Sequence, residues 1–146
     1  GGLTANLVPS EATAGLDIRI PLGLTTSEVR TAVRNILEDH PDISWQVTRC
    51  YEPTWTDSSD PLTKACLRGA ERALGRVSWT DSRIGGSDSR LWRRAGYPCV
   101  AIGLTPSNLG APDESFEIEE LVELRRVYTS ILGEIHLKSL YGTAYA

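Results

Sequence analysis

Hydrophobic positions recur along this chain with two different periods, and the switches between them mark its elements. Residues 3–8 form a short apolar run that stops at Pro9, and Pro9-Ser10-Glu11 reads as a turn. Ala14, Leu16, Ile18 and Ile20 then alternate with Gly15, Asp17 and Arg19, the period of a half-buried strand. After Pro21-Leu22-Gly23 the period lengthens. Thr25 and Glu28 make a capping box, and Val29, Val33, Ile36 and Leu37 fall on one helical face. Pro41 disfavours helical geometry in the residue before it, so this helix is predicted to end near His40. Ile43, Trp45, Val47 and Tyr51 restore the strand alternation.

Residues 52–60 are polar and turn-rich and read as a linker. Asp60-Pro61 supplies an N-cap followed by Pro at the first helical position, and Leu62, Cys66, Ala70, Ala73 and Leu74 continue a helix to Gly75. A loop runs from Asp81 to Gly86, and Ser87 to Ala95 predicts a short helix stopped by Gly96. Residues 98–104 are apolar on both faces, as in a strand covered on two sides. After a polar loop over 105–116, the spacing of Ile118, Leu121, Val122, Val127, Tyr128, Ile131, Leu132 and Ile135 predicts a long amphipathic helix. Residues 139–146 read as a frayed tail.

The pattern therefore predicts an α/β chain in two parts: β-β-α-β over residues 1–52, and helices around a buried strand over 60–138. Each part is incomplete as read. Three strands and one helix leave a sheet face poorly covered, and a single buried strand needs neighbours for its N–H and C=O groups.

Composition narrows the function classes. Fifteen Lys and Arg stand against nineteen Asp and Glu, a net charge of −4 that argues against a nucleic-acid binder. No apolar run reaches the roughly 20 residues that span a bilayer, so no membrane partner is expected. The N-terminus has no basic and apolar leader pattern, and a cytoplasmic location is the expectation. Cys50, Cys66 and Cys99 form no Cys-x-x-Cys pair, which supports neither a disulfide framework nor a zinc knuckle. There is no Met, and the chain begins Gly1-Gly2.

Three groups of residues carry a family resemblance. Gly1-Gly2, Asn6-Leu7-Val8-Pro9 and Leu16-Asp17-Ile18-Arg19 come first. Gly86-Ser87-Asp88-Ser89-Arg90, Gly96-Tyr97-Pro98 and Ile102-Gly103 follow. Ala111-Pro112-Asp113-Glu114 stands before the last helix. In order and spacing they resemble the di-zinc metallopeptidase family of aminoacylase, bacterial glutamate carboxypeptidase and succinyl-diaminopimelate desuccinylase. The resemblance implies an incomplete zinc-exopeptidase architecture. Residues 1–52 would be the second half of a lid or dimerisation domain, and 60–138 the C-terminal part of an α/β catalytic domain. The first residue would then lie in mid-lid, and the missing N-terminal part of the parent would hold most metal ligands and the general base. The complete parent would carry two zinc ions, this chain alone none, and a homodimer would form through the lid.

The same resemblance assigns site residues. Asn6 and Arg19 match lid residues that reach the carboxylate of a small amide substrate, a role suited to a guanidinium fork beside an amide donor. By residue type alone, Arg19 is a solvated strand residue and Asn6 a turn former. Gly86, Ser87 and Arg90 match substrate contacts, where a Gly-Gly turn into a helix offers N–H groups to an anion; the plain alternative is a capped helix start. Thr80-Asp81-Ser82-Arg83 carries a similar string, but the Asp88-to-Pro98 spacing fits the family and that of Asp81 does not.

No catalytic residue is assigned, and no metal ligand either. Gly110 stands where the family has a metal-binding His, while Glu114 matches the family's Glu and would otherwise serve as helix N-terminal charge. His40-Pro41-Asp42 repeats the family's His-x-Asp string at a helix end, outside its proper context, and His136 falls on the last helix. Ser87 lacks the surroundings of an acyl nucleophile. Arg90, Trp92, Arg93 and Arg94 read as a solvated basic face. The expected function is the C-terminal portion of a metal-dependent amidohydrolase acting beside a free carboxylate, inactive by itself. The alternatives are a pseudoenzyme or carboxylate-binding module and a structural homodimer.

Overall fold

A computed structural model of the chain describes residues 6, 8–83 and 85–141; for 137–141 it describes the helix path alone. The chain divides into two compact units, Gly1–Glu52 and Pro53–Ala146. Regular structure among the described residues is helical: α1 (Thr26–Leu37), α2 (Pro61–Leu74), α3 (Ser89–Arg94) and α4 (Ile118–Tyr141).

In the first unit, α1 begins where local chemistry dictates. The Glu28 N–H donates to Thr25 Oγ1 at 3.2 Å, and the Thr25 N–H donates back to Glu28 Oε2 at 2.7 Å, so two donors that the helix leaves unpaired are satisfied reciprocally. Glu52 adds a second carboxylate at this end, accepting from the Thr26 N–H at 3.1 Å and from its hydroxyl. Both negative charges sit at the positive pole of the helix. At the other end, the His40 N–H donates to the Leu37 carbonyl at 3.0 Å, and the chain turns at Pro41. Val29, Val33 and Leu37 of the apolar face are half-buried, whereas Ile36 is 70% exposed.

The second unit is organised by α2 packed along α4. Asp60 caps α2 by accepting from the Leu62 N–H at 2.7 Å, Pro61 occupies the first turn, and Gly75 ends the helix at φ 66°. The core comprises Cys66, Val127 and Ile131, with Leu62, Ala70, Ala73, Leu74, Val100 and Ile102 packed against it. Its closeness comes from Gly69: a Cβ there would lie 2.6 Å from Ile131 Cγ1 and 2.7 Å from Ile131 Cα. Such a small core contributes modestly, at about 1.5–3 kcal/mol per fully buried Val or Ile.

The helices start and stop close to where the pattern places them, except that α4 continues through residues 139–141, which the pattern reads as tail. The predicted strands differ. Residues 14–20, 43–51 and 98–104 form no ladder among the described residues, where the single strand-like pairing is an antiparallel bridge between Ser107 and Ser115. The described part is thus helix-dominated, and the sheet of an α/β arrangement is not among it. Each segment has its alternating apolar face but no neighbour with which to exchange backbone hydrogen bonds. Leu16 is accordingly 82% exposed. Residues 98–104 are half covered: Val100 and Ile102 face the core, while Ala101 and Gly103 are exposed. Most of the run predicted over 3–8 and the end of the tail at 142–146 lie outside the described residues.

Candidate functional site

Asn6 and Arg19 belong to the first unit. Asn6 lies exposed in a turn. The Arg19 guanidinium donates through Nη2 to Asp17 Oδ2 at 2.6 Å, both side chains standing well out in solvent. An exposed pair of this kind contributes about 0–1 kcal/mol, so a carboxylate ligand can compete for the same fork at small cost.

Gly86, Ser87 and Arg90 lie together at the start of α3 in the second unit. Ser87 Oγ accepts from the Ser89 N–H at 3.2 Å and shares a 3.0 Å hydrogen bond with Ser89 Oγ, which caps the helix where Asp88 makes no side-chain cap. Arg90 Nη1 donates to the Ser87 carbonyl at 3.0 Å and lies 3.5 Å from Asp88 Oδ1. The arrangement joins an exposed hydroxyl, a guanidinium and a helix start within a few residues. Chemically it suits a small anion.

The basic face read on α3 needs correcting at Arg93, which is not a solvated side chain. Its Nε donates to Thr54 Oγ1 at 3.2 Å and its Nη1 to the Cys99 carbonyl at 3.0 Å. Thr56 clamps the same residue, since its Oγ1 accepts from the Cys99 N–H at 2.9 Å and donates to the Cys99 carbonyl at 2.8 Å. Thr56 and Arg93 thus satisfy the Cys99 backbone groups that a neighbouring strand would pair, Thr54 holds Arg93, and residues 53–60 belong to the second unit. Farther along, Tyr128 Oη donates to the Ile102 carbonyl at 2.7 Å. No periodicity announces such bonds: the threonine and tyrosine contacts join residues 26 to 43 positions apart, and the Arg93 bond to Cys99 crosses the turn after α3.

Glu134 also escaped the pattern. It is a buried carboxylate on α4, held by Arg68 Nε at 3.0 Å and Arg72 Nη2 at 2.5 Å from α2. In the first unit a depression of about 310 Å³ lies between the last turn of α1 and residues 43–45, lined by Arg34, Asn35, Leu37, Glu38, Ile43 and Trp45.

The described residues do not assemble a zinc site. Zinc needs three or four N, O or S ligands in fixed geometry. Among the described residues no three His, Cys, Asp or Glu side chains come together to supply them. Gly110 brings no side chain to the loop before α4, and Glu114 Oε2 accepts the Gly110 N–H at 3.1 Å. No helix of the described residues is long and apolar enough to cross a membrane.

Comparison with known proteins finds succinyl-diaminopimelate desuccinylases among the relatives. The chain is 28% identical over 137 residues to a succinyl-diaminopimelate desuccinylase of Magnetococcus marinus, covering 93% of this chain and 36% of the relative. It is 28% identical to the enzyme of the same name from Thioalkalivibrio sulfidiphilus, over 89% of this chain and 35% of the relative. For the one from Psychrobacter sp. the identity is 26% over 145 residues, covering 94% and 35%. No family profile matches, and no solved structure matches. Along nearly all its length the chain is similar to succinyl-diaminopimelate desuccinylases, the family its motifs resemble, and it spans a little over a third of their length.

Proposed function

We propose that this chain is the substrate-recognition portion of a metal-dependent amidohydrolase, one that hydrolyses an amide bond next to a free carboxylate. The carrying observation is the similarity to desuccinylases over about nine-tenths of the chain. In this reading Gly1–Glu52 belongs to a lid that closes on substrate and joins two copies, and Pro53–Ala146 belongs to an α/β catalytic domain. Strands supplied by the rest of that domain would pair with residues 98–104 and cover their open side. Asn6 and Arg19 would hold the substrate carboxylate, and Gly86, Ser87 and Arg90 would bind a second polar group. When bound elsewhere in the assembled enzyme, zinc would polarise the amide carbonyl and activate water. This chain's own residues orient the substrate and hold no metal. The cytoplasm is the proposed setting.

An assay of the purified chain with added zinc on N-acyl amino acids and dipeptides tests the reading. No turnover is expected, and turnover abolished by a chelator would overturn it. Intact mass and metal content of the protein from its natural source are expected to show zinc on polypeptide beyond these 146 residues. A second reading, a pseudoenzyme that binds a carboxylate ligand without cleaving it, is favoured by one observation: Gly110 at the position of the family's His. Intact His-x-Asp and Glu-Glu segments upstream would decide for the enzyme.

A further inference from the structure

We infer that the loop between Ser107 and Ser115 is shut by its own Glu114 and gives no ligand to a metal ion. The ends of the loop are paired directly. The Ser107 N–H donates to the Ser115 carbonyl at 2.8 Å, and the Ser115 N–H returns the bond to Ser107 at 3.2 Å. Inside, the Ala111 N–H donates to the Asn108 carbonyl at 2.9 Å. Asn108, Gly110 and Asp113 take left-handed backbone at φ 54°, 74° and 61°. Gly, Asn and Asp are the residues that adopt this backbone most readily, so the sequence suits a tight turn here.

Glu114 bridges the turn at Gly110. Its carboxylate reaches back across the turn to the Gly110 N–H, a charge-assisted bond of 3.1 Å. On the entry side the Thr105 N–H donates to Glu120 Oε1 at 2.9 Å, which ties the loop to the first turn of α4. The loop therefore closes with groups of this chain alone. The Glu114 carboxylate is turned back onto a backbone amide through Oε2, and the residue in the place of the His has no side chain. The metal half of the inference rests on the resemblance, whereas the closure rests on the hydrogen bonds.

Hydrogen exchange read by mass spectrometry on the full 146-residue chain tests both halves. The samples are wild type, Glu114→Ala and Glu114→Gln, each with and without equimolar zinc, while a chromogenic chelator reports zinc uptake. Amides around Gly110 should exchange about fivefold faster in Glu114→Ala, the change expected for one lost hydrogen bond, and Glu114→Gln should recover part of it through its remaining carbonyl oxygen. Zinc should stay on the chelator and leave wild-type exchange unchanged. Unchanged exchange in Glu114→Ala overturns the closure. Stoichiometric zinc uptake that slows the loop in wild type and is lost in Glu114→Ala overturns the metal half. Should Glu114→Ala fail to fold, Glu114→Gln and the wild-type zinc arms decide. Failure of the hydrolase reading would leave these exchange rates untouched, so the two are distinguishable.

Discussion

Gly69 on α2 meets Ile131 on α4 backbone to side chain, so closely that a Cβ added to the glycine would fall 2.6 Å from Ile131 Cγ1 and 2.7 Å from its Cα. The Cα cannot rotate aside as a side chain can. Relief requires the two helices to separate, and their contact is the core of the second unit. Gly69→Ala is expected to lose about 1–3 kcal/mol to overpacking, more than the ~1 kcal/mol that Ala gains in a helix interior. Gly133, which has open space where its Cβ would be, is the control: Gly133→Ala should stabilise by up to about 1 kcal/mol. Urea titration followed by helical circular dichroism measures both, and equal effects would contradict the geometry.

The carboxylate of Glu134 is buried, but its partners Arg68 and Arg72 are 41% and 62% exposed. The cost of losing the pairs should be unequal in consequence. Glu134→Ala is expected to cost about 1–2 kcal/mol, since it removes the buried member of both pairs while the arginines turn to water, and Arg72→Ala about 0–1 kcal/mol. Denaturant midpoints at low and moderate salt check the order. Arg72→Ala as damaging as Glu134→Ala would refute it.

Thr56→Val keeps the shape of the side chain and removes both hydrogen bonds to the Cys99 backbone. The expected loss is about 1–2 kcal/mol, because the half-buried Cys99 N–H gives up its side-chain partner. Arg93 still holds the carbonyl, so Thr56→Val with Arg93→Ala should lose more than either alone. A double-mutant cycle by thermal unfolding measures the coupling.

The hydroxyl of Thr25 and then its backbone N–H hold the Glu28 carboxyl below its ordinary value of 4.5. A depressed carboxylate contributes stability that is present above the unfolded value and is lost as pH falls through the folded one. Helicity of α1 should therefore decline only as the solution is taken below about pH 4.5. A carboxyl-carbon NMR titration should place the Glu28 midpoint below the ordinary value, and Thr25→Ala should bring it back toward that value. A midpoint unmoved by Thr25→Ala would show the cap to be absent in solution.

Burial, and then the neighbouring Cys99, push the Cys66 thiol above its ordinary value, whereas Cys50 is exposed. Alkylation by iodoacetamide at neutral pH should reach Cys66 last, at least about tenfold slower than Cys50, because the thiolate is the nucleophile and the site is shielded. Peptide mapping over a time course reads the order directly. Comparable rates would mean that the α2–α4 core opens readily.

What the sequence determined by itself was local. Thr25 and Glu28, Asp60 and Pro61, Gly75 and Gly96 settle where helices begin and end, because a cap satisfies donors only two or three residues away. The motif string from Gly1 to Glu114 likewise carries the resemblance to the di-zinc metallopeptidase family that includes the desuccinylases. Tertiary structure decided everything that depends on distant partners: the close approach of Gly69 to Ile131, the two arginines on Glu134, and the threonine and arginine clamps on Cys99. It also decided the fate of the strand-like runs. Alternation at Leu16-Ile18 or Ile43-Trp45-Val47 specifies which face would be covered, but a strand exists only when a neighbour accepts its hydrogen bonds, and among the described residues none does.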